Sequence, residues 1–212
     1  MWPDSQETQE LMRAAQGKEP VAVNRLLDRH REALVQMIRM RLDRAMAQRV
    51  DASDIVQEVL LEASQRLPDY LKEPKLPFHL WLRQMAKDRL IDAHRRHREA
   101  QRRSVDREQS LQAAANSDAS SRNYLVELRD QELTPAAANI RKEMEIRFLQ
   151  AIEQLEEEDK EVILMRHYEQ LTNSEVAEAL GLSQPAAGMR HLRALRRLRE
   201  ILGEDPCLNP MG

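Results

Sequence analysis

Aromatic residues make up only 3% of this 212-residue chain and glycines number five, whereas Leu, Ala, Met, Arg and Glu abound. That is the composition of a mostly helical protein. A single cysteine, Cys207, excludes a disulfide framework within the chain and fits a reducing compartment. No apolar run approaches a membrane span. The opening MWPDSQETQELM also lacks the basic start and apolar core of an export signal, so no membrane insertion and a soluble, cytoplasmic protein are expected.

Catalytic chemistry is equally scarce. No glycine-rich phosphate loop or nucleophile elbow occurs, and carboxylates crowd together only at Glu156 to Asp159, which reads as a solvated acidic helix start. His94 and His97 stand among arginines whose charge opposes a bound cation, while His30, His79, His167 and His191 are isolated in the sequence. No metal, no cofactor and no catalytic residue is expected, and the chain does not read as an enzyme.

What the chain does have is charge in blocks. The formal net charge of −3 conceals acid concentrated in Glu153 to Glu161 and base concentrated in Arg95 to Arg103 and Arg190 to Arg199. Local blocks of this kind decide binding better than the sum does.

The most informative stretch is LTNSEVAEALGLSQPAAGMRHLRALRRLREIL, Leu171 to Leu202. Thr172 with Glu175 three residues on is a capping box, so a helix is expected from Asn173. Val176, Ala177 and Leu180 give it an apolar face, Gly181 supplies a left-handed end, and Ser183 caps a second helix. The result is a helix–turn–helix. In its second helix Leu192, Leu195, Leu198 and Leu202 are expected on the buried side, with Arg190, Arg193, Arg196 and Arg197 opposite. A charge row alone is usually a solvated face. On a helix leaving a capped, glycine-terminated turn, the same row suits phosphates and the guanine edge in a major groove.

Earlier in the chain, helical periodicity runs through residues 5–50, with a break expected from Gly17 to Pro20. Asp51 is expected to cap a helix that buries Ile55, Val56, Val59, Leu60 and Ala63, leaving Gln57, Glu58 and Glu62 on the other side. Pro68, Pro74 and Pro77 are expected to break the pattern. From Phe78 a long helix should bury Trp81, Leu82, Met85, Ala86, Leu90 and Ala93. Arg83, Lys87, His94, Arg95, Arg98 and Arg102 would then project in an arc of about 120°. The interval Ser104 to Arg141 reads as a tether with little independent order, apart from a possible helix at Tyr124 to Leu133. Ile140, Met144, Phe148, Ile152, Leu155, Val162, Ile163 and Met165 should pack beneath the helix–turn–helix. The expected fold is all-α: two small helical domains, residues 5–103 and 143–202, joined by a flexible linker, 104–142, and followed by a tail, 203–212.

With these residues in view, the chain resembles bacterial RNA polymerase sigma factors of the extracytoplasmic-function type, the compact class that keeps the second and fourth sigma regions. DASDIVQEVLLEA and PFHLWLRQMAKDRLIDAHRRHR carry the first half of the likeness, and LEEEDKEVILMRHYEQLTNSEVAEALGLS the second. The resemblance implies that Asp54, Gln57 and Glu58, with Arg66 beside them, dock on the clamp helices of the polymerase largest subunit. It implies that Phe78, Arg83, Lys87, Arg89, Asp92, Arg95, Arg96 and Arg98 recognise and open the −10 element, with Trp81 kept for structure. It assigns −35 readout to Gln184, Ala187, Gly188, Arg190, His191, Arg193 and Arg197. The partners so implied are core polymerase, promoter DNA and, in many members of the family, an anti-sigma factor. A rival is a stand-alone helix–turn–helix regulator, which leaves the DIVQEVLLEA helix and the second basic helix without a role.

Overall fold

The computed structural model describes residues 2–3, 5–17, 20–42, 44–108 and 135–203. The chain is all-α: the described residues contain helices and no strand, and they divide into two compact units, Met1–Ser121 and Arg122–Gly212.

In the first unit, α1 (Ser5–Gln16) and α2 (Pro20–Arg39) part at the expected break. Proline is well placed to open α2, because the first helical position needs no N–H donor. Leu26, Leu34, Met37 and Ile38 of α2 are wholly buried, and the single turn α3 (Arg44–Ala47) adds Met46 to the same core. α4 (Ala52–Lys72) begins at Asp51, whose carboxylate accepts the Ser53 N–H at 2.8 Å, and Asp54 sits in its first turn where the helix dipole favours an acid. Ile55, Val56, Val59, Leu60 and Ala63 are buried as expected.

α4 does not stop at Pro68, where a break was expected; it runs on to Lys72. Proline inside a helix forfeits a hydrogen bond and clashes with the preceding turn, at a cost of about 3 kcal/mol. Burial on either side offsets that cost. Leu67 and Tyr70 are both buried, and the Tyr70 hydroxyl donates to the Leu76 carbonyl at 2.8 Å, pinning the last turn to the loop beyond. The helix ends before Pro74 and Pro77, and α5 (Phe78–Glu108) follows for 31 residues. Leu82, Met85, Ala86, Leu90 and Ala93 enter the core against α2 and α4. Trp81 is half-buried and stacks on Tyr70 with ring centroids 4.5 Å apart.

In the second unit, α6 (Pro135–Glu153), α7 (Glu157–Ile163), α8 (Asn173–Leu180) and α9 (Gln184–Gly203) surround Ile152, Leu155, Val162, Ile163, Met165, Val176, Ala177 and Leu198. Met144, expected in this core, is 57% exposed instead. Between α7 and α8 the chain widens into a π turn, Leu164–Tyr168, where the Glu169 N–H reaches back five residues to the Leu164 carbonyl at 3.0 Å. Gln170 then takes a left-handed φ of 57°, and the Arg166 guanidinium donates to the Leu171 carbonyl, closing the corner.

Helix enters both ends of the interval expected as a tether: α5 extends to Glu108 and α6 starts at Pro135. The possible helix at Tyr124 to Leu133 and the tail from residue 204 onward, with Cys207, lie outside the described residues.

Candidate nucleic-acid and protein-docking interfaces

In the second unit the helix–turn–helix forms as its local chemistry dictates. The Thr172 side chain accepts the Glu175 N–H at 3.2 Å while the Glu175 carboxylate accepts the Thr172 N–H at 2.7 Å, a complete capping box. Gly181 ends α8 at φ 63°, a conformation that costs a non-glycine residue about 1 kcal/mol or more. The Ser183 hydroxyl accepts the Ala186 N–H at 3.3 Å and opens α9. Two side-chain bonds brace the helices: Asn173 Nδ2 donates to the Gln184 carbonyl at 2.9 Å, and Gln184 Nε2 donates to the Ser174 hydroxyl at 2.9 Å.

The buried line of α9 differs from the expected one. Ala187, Ala194 and Leu198 face the core, Leu195 is half-buried, and Leu192 is 49% exposed. At about 100° per residue Ala187, Ala194 and Leu198 fall within one narrow arc, and Leu192 points well away from it. The smaller alanines take the inward side, where α9 packs on α7 and α8. Ala187, which the resemblance assigns to the −35 element, is therefore sealed from solvent.

Nor are the arginines a free row. Arg190 lies 3.0 Å from Glu158, and Arg193 Nη2 donates to Asp159 Oδ1 at 3.0 Å, so the start of α7 holds two of the expected reading side chains. Asp159 is buried, which corrects the view of this acidic start as wholly solvated. The hydrogen bond that Arg193 donates to Asp159 pushes the guanidinium pKa further up. Arg197 is exposed beside Glu200, at 3.4 Å, and Gln184 is also exposed. Gly188 is half-buried, with space for a Cβ that would meet Asn173 Oδ1 at 3.7 Å.

His191 is not isolated, for its Nε2 stands 3.0 Å from Nε2 of His167 in the π turn. Such a contact requires one ring to donate and the other to accept. Burial first, then neighbouring positive charge including Arg166, holds both rings below the ordinary histidine range, so each stays neutral near pH 7.

In the first unit, the exposed side of α4 presents Asp54, Gln57 and Glu58. Glu58 also approaches α5, at 3.6 Å from Arg96 and 3.8 Å from Arg89. Glu62 accepts from Arg89 at 2.6 Å and from Arg66 at 2.9 Å, and the Arg89 hydrogen bond, opposed by some burial, lowers its carboxyl pKa. One edge of the basic helix is thus tied to the acidic side of α4, while Arg95 and Arg98 remain exposed.

Two residues that the resemblance assigns to the −10 element are buried. Arg83 is 2% exposed and Phe78 is 3% exposed. On the helical wheel Arg83 stands at the end of the expected basic arc, next to buried Leu90, and the core closes over it. Phe78 sits edge-on to the His30 ring, with centroids 5.1 Å apart, inside a cluster completed by Trp2, His79, Tyr70 and Trp81. Lys87 is half-buried.

Sequence reasoning missed Glu158 and Asp159 as supports for the arginines and missed the exposure of Leu192 and of Met189, which is 62% exposed. The acid–arginine pairs are separated by more than thirty positions in sequence, and no local pattern announces them. No group of three metal-ligating side chains occurs among the described residues, and no described helix is long and apolar enough to cross a membrane.

Residues 26–100 match the family model for Sigma-70 region 2, and residues 145–198 match that for Sigma-70, region 4. No curated protein matches the chain. Among solved structures, CnrH in complex with the cytosolic domain of CnrY is 22% identical over 93% of this chain and 98% of that one, with a TM-score of 0.59, and shares the fold. The sigma factor RpoE in complex with the anti-sigma factor NepR from Bartonella quintana is 17% identical over 84% and 92%, with a TM-score of 0.48. BldN in its complex with RsbN is 18% identical over 90% and 98%, with a TM-score of 0.33. With the two regions in order on two helical units, the chain belongs to the sigma-70 family.

Proposed function

We propose that this sigma factor clamps a promoter at two points, through α5 on the −10 element and α9 on the −35 element, while α4 docks on core RNA polymerase. The observation that carries this reading is the pairing of an exposed Asp54, Gln57 and Glu58 face with an exposed Arg95 and Arg98 edge in one unit, and a capped helix–turn–helix with an arginine edge in the other. The working division is residues 5–103 for polymerase docking and −10 recognition, 104–142 as the connection, and 143–202 for −35 recognition.

Within these surfaces Lys87, Arg89, Arg95, Arg96 and Arg98 serve the −10 side. Gln184, Gly188, Arg190, His191, Arg193 and Arg197 serve the −35 side. Phe78, Arg83 and Ala187 act from the interior, by shaping the elements that carry the others. Each basic helix alone contributes a handful of phosphate contacts, which are weak and salt-sensitive. Docking both on polymerase makes the second contact intramolecular, so useful affinity arises only in the holoenzyme. The protein works in the cytoplasm as a non-catalytic subunit, and an anti-sigma factor would act by covering these same faces. The stand-alone regulator has no use for region 2, which occupies residues 26–100.

Run-off transcription with bacterial core polymerase on a library of randomised promoters tests the reading. Initiation from a selected two-part promoter is expected, and Arg95→Ala with Arg98→Ala should reduce open-complex formation while leaving polymerase binding intact. No transcript and no polymerase binding would overturn it.

A further inference from the structure

Two large apolar side chains stand out on the reading helix. Met189 is 62% exposed and Leu192 is 49% exposed, although both lie in a well-packed unit whose other large apolar residues on α9 are at least partly covered. At about 100° per residue, Met189, Leu192, Arg193 and Arg196 share an arc of about 100°, opposite buried Ala187, Ala194 and Leu198. The apolar pair therefore faces the same way as two cations.

The support beneath this face is firm. Asp159, itself buried, holds Arg193, and the Asn173 and Ser174 bonds to Gln184 fix the start of α9 against α8. A face that sets two apolar side chains beside guanidinium groups is a poor match for an apolar protein surface, which would have to desolvate the cations. It suits the major groove of DNA, where phosphates and guanine edges take arginine and the thymine 5-methyl group is the apolar feature on the base edges.

We propose that Met189 and Leu192 are specificity-determining side chains that pack on thymine 5-methyl groups in the upstream promoter element, with Arg193 held beside them for a phosphate or guanine. This inference rests on the promoter-binding reading above. It makes direct readout on α9 partly apolar, and it gives a role to a leucine that the sequence pattern assigns to the core.

The test uses the full chain with core polymerase on a promoter selected from a randomised library, each thymine of the upstream element being replaced in turn by deoxyuridine, which lacks only the methyl group. For the parent, loss of a methyl contact should lower promoter binding about three- to fivefold at one or two positions, the worth of one buried methyl-sized group. Met189→Ala or Leu192→Ala should each abolish the thymine preference at one of those positions, without changing binding to the uracil template. Met189→Gln and Leu192→Gln, conservative in length and already solvent-facing, provide a second pair whose helical circular dichroism checks the fold. Uracil substitution without effect anywhere in the parent would overturn the proposal while leaving sigma activity intact. So would alanine variants that keep the full thymine preference, or variants that weaken both templates equally, the result expected if this face meets a protein instead. Absence of any transcript from the library with the parent would instead sink the sigma reading on which the proposal stands.

Discussion

Acidification should destabilise the first unit through one histidine. His30 is 1% exposed and its Nδ1 lies 2.9 Å from the Leu26 carbonyl, so Nδ1–H donates to that oxygen and the ring is neutral in the folded state. Burial, opposed by the Leu26 bond and reinforced by the charges of His79 and Arg29, lowers its pKa from 6.5 to about 4. Because the folded value is depressed, the unfolded chain takes up the proton first as pH falls. Stability is therefore complete above pH 6.5 and is lost progressively down to about pH 4. At about 1.4 kcal/mol per pH unit the full interval costs the folded unit about 3 kcal/mol. Urea unfolding followed by tryptophan fluorescence isolates this unit, since Trp2 and Trp81 are the two tryptophans of the chain and both belong to it. His30→Gln cannot take up a proton. Its stability at neutral pH falls through lost packing, but its decline with acid should be shallower than the parent's by most of that amount. Equal slopes for parent and variant between pH 6.5 and about 4.5 would refute the reasoning.

Three other perturbations have defined outcomes. Thr172→Ala removes the hydroxyl half of the capping box and should lower the stability of the second unit by about 1 kcal/mol, read from the loss of helical circular dichroism on heating the full chain. Gly181→Ala meets no atom within 4 Å, so its cost is that of the left-handed backbone alone, about 1 kcal/mol, and Gly181→Asn should cost less in the same assay. Glu62→Gln breaks the pair with Arg89. Because the folded-state pKa of Glu62 is lowered, the stability it contributes is present above its ordinary range and fades as pH falls through that lowered value. The side chain is 25% exposed, so the loss at neutral pH should stay below about 1 kcal/mol in urea unfolding, and a larger one would show that the pair is far better shielded than its exposure implies.

Local chemistry made much of this architecture readable in advance. Asp51, the Thr172–Glu175 box, Gly181 and Ser183 each act within four residues of themselves, and each sits where its side chain or backbone preference requires. The misreadings arise where tertiary packing outweighs a local preference. Pro68 is a helix breaker by itself, yet buried Leu67 and Tyr70 keep α4 going. Arg83 and Leu192 lie at the margins of their helical stripes, where polarity alone does not decide which side closes over. Ala187 and Ala194 are too small to signal a core face, although both are fully buried where α9 packs on its neighbours. The Arg193–Asp159 and His167–His191 pairs join positions far apart in sequence, and periodicity within one helix carries no information about them.

The π turn at Leu164–Tyr168 fixes the helix–turn–helix to a particular phase of the chain. A helix that accommodates one extra residue in a turn differs from its regular counterpart by about 100° of rotation and 1.5 Å of rise at everything downstream. Removing any one residue there would allow a regular helix to form through the segment, and the Arg166–Leu171 bond, the left-handed Gln170 and the His167–His191 contact would all lose their register together. Exchange of side chains in this turn is a matter of packing, but its residue count is a matter of phase, and an insertion or deletion here would re-aim α8 and α9 while leaving each of them intact as a helix.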